Sequence, residues 1–124
     1  MPLYGCDPAT STSLRAERTP VVVGENVFVL TIDMGAEGFP DGTPSLEAEW
    51  IGAAPASDVP TASPPECDSA FKDDPKRYWV RTYRCSATFV RPGRVRLVSL
   101  MAQQGSASPY RAQLDVDVVS SAQP

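Results

Sequence analysis

The chain reads as an all-β protein, a β-sandwich of about seven antiparallel strands with one long Pro-rich loop, and three observations carry that reading. Thirteen prolines and eight glycines among 124 residues leave few windows in which a helix could run. Apolar residues instead recur at every second position over several segments, the period of a strand with one buried face. Gly/Pro punctuation separates those segments at short intervals. At this length there is room for one core, so the expected organisation is a flexible tether over residues 1–18, a sandwich domain over 19–119 and a tail over 120–124.

The elements follow in order. Asp7-Pro8-Ala9-Thr10-Ser11-Thr12-Ser13 has no apolar periodicity and suits a tether. Thr19-Pro20-Val21-Val22-Val23 is a short β-branched run with proline near its start, as an edge strand tolerates. After Gly24-Glu25, residues 26–34 put Phe28, Leu30, Ile32 and Met34 on one face and Val27, Val29, Thr31 and Asp33 on the other. Residues 35–44 hold three glycines and two prolines and form a loop. Leu46, Ala48 and Trp50 then alternate with Glu47 and Glu49, a strand with one buried and one solvated face.

Residues 53–65 are an insertion rich in Ala, Pro, Ser and Thr, leading into 66–71, expected as a turn of helix. Residues 78–90 give the longest strand, with Trp79, Tyr83, Cys85, Ala87 and Phe89 inward and Arg81 as the misfit among them. Arg91-Pro92-Gly93 is a tight turn, after which Val95, Leu97, Ser99 and Met101 alternate with Arg94, Arg96, Val98 and Leu100. A polar loop over 103–109 precedes a last strand over 110–119, with Leu114, Val116 and Val118 inward.

Composition narrows the chemistry. Histidine is absent, which removes the usual general base and the commonest metal ligand, so an enzyme is the weakest reading and no cofactor is expected. Nucleotide-binding, hydrolase-elbow and EF-hand spacings are missing too. The net charge of −4 argues against nucleic acid as a partner. That mean hides an asymmetry: residues 2–71 carry two arginines against eleven acids, whereas residues 72–96 carry eight basic residues against two acids. Arg81, Arg84, Arg94 and Arg96 lie on two strands joined by one turn and are expected as neighbours. They form either half of a set of cross-strand ion pairs, with Glu47 and Glu49 as partners, or a docking face for an acidic protein. Tyr78 and Trp79 join them as interaction candidates. Asp73-Asp74 and the acids around Glu66 could bind calcium at a loop end, but their irregular spacing fits a solvated acidic loop better.

Three cysteines divide into a pair and a singleton. Cys67 in the long loop and Cys85 in the aromatic strand are expected to form a disulfide that ties loop to core; buried free thiols are the alternative. Leu3-Tyr4-Gly5-Cys6 resembles the end of a bacterial lipoprotein signal, making Cys6 the candidate for lipidation and the only link to a membrane.

Val22-Val23-Gly24-Glu25-Asn26-Val27-Phe28, a Gly/Pro loop after the next strand, and Phe89-x-x-Pro92-Gly93-x-Val95-x-Leu97 together resemble bacterial immunoglobulin-like domains over roughly residues 19–119. The nearest variety is the YtkA-like and FixH-like periplasmic group. The resemblance implies an immunoglobulin-like sandwich outside the cytoplasm. Trp50-Ile51-Gly52-Ala53-Ala54-Pro55 lacks the Met and His that some members carry, so no copper role follows. The function expected is a non-catalytic binding or assembly module, lipid-anchored or secreted, that meets another envelope or surface protein. The alternative is a carbohydrate-binding sandwich whose platform is Trp79, Tyr83 and Tyr110.

Overall fold

The structure, a computed structural model, describes residues 12–34, 40–52, 55, 57–77, 79–104 and 108–120. These form nine strands and no helix: β1 (Thr12–Ala16), β2 (Val21–Val22), β3 (Gly24–Asp33), β4 (Ser45–Trp50), β5 (Glu66–Cys67), β6 (Lys72–Asp73), β7 (Val80–Phe89), β8 (Gly93–Met101) and β9 (Tyr110–Val119). One sheet runs β1-β3-β7-β5, with β6 also on β7, and the other runs β2-β9-β8-β4. The fold is a β-sandwich. Its strands are antiparallel except β2, which departs from the expectation by pairing parallel to β9 through Val21↔Val118 and Val22↔Val119.

The period-2 runs seen in the sequence become the two inner faces. Phe28, Leu30 and Ile32 of β3 meet Tyr83, Cys85, Ala87 and Phe89 of β7, and Val95, Leu97 and Met101 of β8 face them from the other sheet. Phe28 and Phe89 pack edge to face, with centroids 6.2 Å apart. Burying each such large side chain is worth roughly 1.5–3 kcal/mol, which is why the alternation sets the fold. Ser99 is the polar residue in this layer, and its hydroxyl donates to the Ser45 carbonyl at 2.8 Å.

Part of the expected tether is folded. Thr12–Ala16 pairs antiparallel with β3, and Leu14 is buried opposite Leu30. The chain then crosses to the other sheet as β2 and turns back into β3. Asn26 fastens that crossing: its Oδ1 accepts from the Val22 N–H, and its Nδ2 donates to the carbonyls of Val22 and Gly24. Gly24 turns there with φ +108°, a backbone state that other residues rarely adopt. Residues 1–11, including Cys6, and residues 121–124 lie outside the described residues, as does Tyr78.

The helical turn expected over 66–71 is not formed. Residues 60–74 run instead along β7 as a broken edge. Thr61 bridges Phe89, β5 pairs Glu66↔Ser86 and Cys67↔Cys85, and β6 pairs Lys72↔Thr82 and Asp73↔Arg81. The register slips by two residues between Thr61 and Glu66 and by two more between Cys67 and Lys72. Prolines 64 and 65 occupy the first interruption, where no ladder donor is needed.

Candidate functional site

The strongest functional candidates in the sequence were the arginines around the Arg91-Pro92-Gly93 turn. That turn is not a hairpin. It carries the chain from β7, which pairs with β3, β5 and β6, to β8, which pairs with β4 and β9 in the other sheet. Arg84 therefore lies on the outer face of one sheet, and Arg94 and Arg96 on the outer face of the other. The expected single basic face does not exist.

Each arginine has its own acid, and the acids are not the expected ones. Arg94 reaches Asp117 at 3.0 Å, and Arg96 makes a two-bonded contact with Asp115 at 3.0 and 3.2 Å. Both acids belong to β9, opposite in register. Arg96 holds the Asp115 carboxyl below the ordinary aspartate range, first through hydrogen bonding and then through charge. Glu49 also sits opposite Arg96, on β4, and favours its charged form, but the hydrogen bonds go to Asp115. Arg84 meets both carboxylate oxygens of Glu17 at 3.0 Å. Its register neighbour Val29 points outward yet is 7% exposed, lying between Arg15 and Arg84. Glu47 and Glu49 are left without a salt bridge among the described residues.

The misfit Arg81 is accommodated at the end of the inner face. Its guanidinium stacks 4.0 Å from the centre of the Phe71 ring and lies 3.5 Å from Asp73, its register partner. Its Nε is buried and closes no hydrogen bond of good geometry among the described residues, its 3.5 Å approach to Asp73 being that of an ion pair. Phe71 leans on Tyr83, whose phenol is pushed up by burial and drawn back by Arg81. Asp74 accepts from the backbone N–H groups of Lys76 and Arg77, which lowers its carboxyl and closes the turn into β7. Of the acids considered for calcium, Asp73 is thus an ion-pair partner and Asp74 a turn cap.

A second cluster lies at the opposite end of β7. Trp50 packs so tightly on Gly93 that a Cβ there would stand 2.6 Å from the indole Cζ3. Arg91 stacks 4.5 Å above the indole and bonds Asp58. That bond is the main cause of the lowered Asp58 carboxyl, to which the nearby Trp50 contributes less. The indole Nε1 itself closes no hydrogen bond of good geometry among the described residues.

The expected aromatic platform is also taken apart. Tyr83 and Tyr110 are in the core, and Trp79 is half-buried against it, so the three present no common face for a sugar ring. The disulfide expected between Cys67 and Cys85 is present. Asp68 N–H donates to the Arg84 carbonyl, so Cys67↔Cys85 is the non-hydrogen-bonded pair between two bonded ones, where backbones approach closest, here to 3.9 Å. Beside it an open groove of about 300 Å³ is lined by Val27, Glu66, Asp68, Arg84 and Ser86 as well as the cystine. Its mixed charges converge on no single ligand chemistry.

The arrangement leaves two kinds of surface: outer faces whose charges are mostly paired internally, and strand edges. On β4, Ile51 N–H donates to the Arg94 carbonyl. By alternation from that bond, Glu47 and Glu49 also bond to β8, while the N–H and C=O groups of Leu46, Ala48 and Trp50 point away from β8 and bond no other described residue. Searched against protein-family models and against the curated proteins, the chain matches none.

Proposed function

We propose that the chain is a non-catalytic, immunoglobulin-like binding or assembly module of a bacterial envelope, acting outside the cytoplasm on another envelope or surface protein. The observation that carries the reading is strand order. β1-β3-β7-β5 against β9-β8-β4 runs as the A-B-E-D and G-F-C sheets of the constant-type immunoglobulin arrangement do, with β2 as a short parallel addition. The cystine departs from that pattern, since it joins neighbours within one sheet rather than B to F across the sandwich. A disulfide is compatible with an oxidising compartment. The lipid anchor is read from Leu3-Tyr4-Gly5-Cys6 alone.

Chemical cross-linking in native membranes, followed by affinity purification and mass spectrometry, tests the assembly reading. It should return a stoichiometric protein partner and an acylated amino-terminal Cys6. Recovery of a soluble, unmodified chain without a partner would contradict it.

A further inference from the structure

The binding-module reading leaves open which surface binds and what it binds. We infer that the free edge of β4 receives an extended, basic segment of a partner protein as an added strand, an inference that rests on that reading and deepens it. Backbone geometry supplies the first argument. Leu46, Ala48 and Trp50 aim their N–H and C=O groups away from β8, and no hydrogen bond joins those groups to another described residue. This is a row of donors and acceptors of the kind that recruits a further strand.

Charge supplies the second argument and selects the occupant. Glu47 and Glu49 both project from the outer face of β4 and are exposed. The arginines nearest them are engaged elsewhere: Arg96 bonds Asp115 and Arg94 bonds Asp117. A strand added at this edge places every second side chain beside Glu47 and Glu49, so lysine or arginine at alternate positions complements them. A second copy of the chain is disfavoured on the same ground. Antiparallel pairing of two β4 edges with Ala48 opposite Ala48 would set Glu47 of each copy opposite Glu49 of the other, and a shift by two residues would set Glu47 or Glu49 opposite itself.

The test uses the disulfide-intact chain and a short capped peptide alternating lysine with valine, with an alternating glutamate-valine peptide as control. Binding is followed by backbone amide NMR at low salt. The lysine peptide should shift and protect Leu46, Ala48 and Trp50, and salt near 0.5 M should weaken it severalfold. Ala48→Pro deletes a free-edge donor without touching the β4–β8 ladder and should weaken binding roughly tenfold. Joint Glu47→Lys and Glu49→Lys substitution should reverse the preference toward the glutamate peptide, which keeps the test decisive if Ala48→Pro fails to fold. Equal binding of both peptides, or shifts confined to another edge, would overturn the inference. A native partner captured equally by the parent and by Ala48→Pro would keep the binding-module reading and remove the β4 edge from it.

Discussion

Two edges lie against each other on one flank of the sandwich, and they are secured by different means. The edge on β7 is a broken strand whose longest regular pieces, β5 and β6, are two residues each. It holds through a few backbone bonds, such as Ala62 to Thr88, Asp68 to Arg84 and Asp74 to Val80, and through a covalent bond at its midpoint. The edge on β8 is β4, six continuous residues with an unbroken ladder and an inward row of Leu46, Ala48 and Trp50. An irregular edge cannot accumulate enough ladder and burial to hold itself and is stapled. A regular one holds by packing and leaves its outward N–H and C=O groups unbonded among the described residues.

Breaking the staple should have the largest effect. The cystine closes a separation of 18 residues, worth about 3 kcal/mol in the chain-entropy model. Joint Cys67→Ala and Cys85→Ala substitution should cost about 2–5 kcal/mol in urea denaturation. Hydrogen exchange should rise at Asp68 and Asp74 before it rises at Glu49. Loss of β4 protection first would mean that the cystine supports the wrong edge in this account.

Gly93→Ala tests the packing that holds β4. A Cβ at that position meets the Trp50 indole, and Gly93 also holds φ +153°, a backbone state that L side chains rarely adopt, so overpacking worth about 1–3 kcal/mol adds to a backbone cost. Thermal melts should show the loss, and the Trp50 fluorescence should change with it. A neutral variant would show both that the indole moves aside and that the backbone at position 93 relaxes from this φ.

Much of this was legible in the sequence, for physical reasons that also mark where legibility stopped. Long alternating runs, such as Phe28-Leu30-Ile32 and Val95-Leu97, declare their buried face because burial of each residue is strongly favourable. The disulfide was legible because a small β-domain with a cysteine in its loop and another in its central strand has an evident use for a bridge. β1 was not, since a strand with Leu14 as its single large inward residue has no visible period. β5 and β6 are too short to show one. The basic face failed on topology: a tight turn between consecutive strands usually makes a hairpin, and this one crosses the sandwich instead. Pairing the strand before the polar loop with the strand after it would have set Arg94 and Arg96 opposite Asp117 and Asp115.

Smaller effects sharpen the contrast on the outer faces. Arg94→Glu, which opposes Asp117, should lower stability by about 0.2–1 kcal/mol at low salt, and salt should blunt the loss. A melt identical to the parent at low salt would show the pair contributes nothing. The smallest effect is in titration. Asp115 has a folded pKa held below the ordinary value of 3.8 by Arg96, so its contribution is present above the unfolded pKa and fades as pH falls through the folded one. Carboxyl NMR should place its midpoint below 3.8, and Arg96→Gln should return it toward that value. A parent midpoint at or above the ordinary value would remove the ion pair from the account.

Native-state amide hydrogen exchange along β4 tests the open-edge claim most directly. Glu47, Glu49 and Ile51, which face β8, should be protected, and Leu46, Ala48 and Trp50 should exchange at least about a hundredfold faster, as unbonded amides at a free edge do. The same experiment should find Ala62, Asp68 and Asp74 protected on the stapled edge. Uniform slow exchange through β4 would mean that its outer side is already covered, and the contrast between the two edges would be gone.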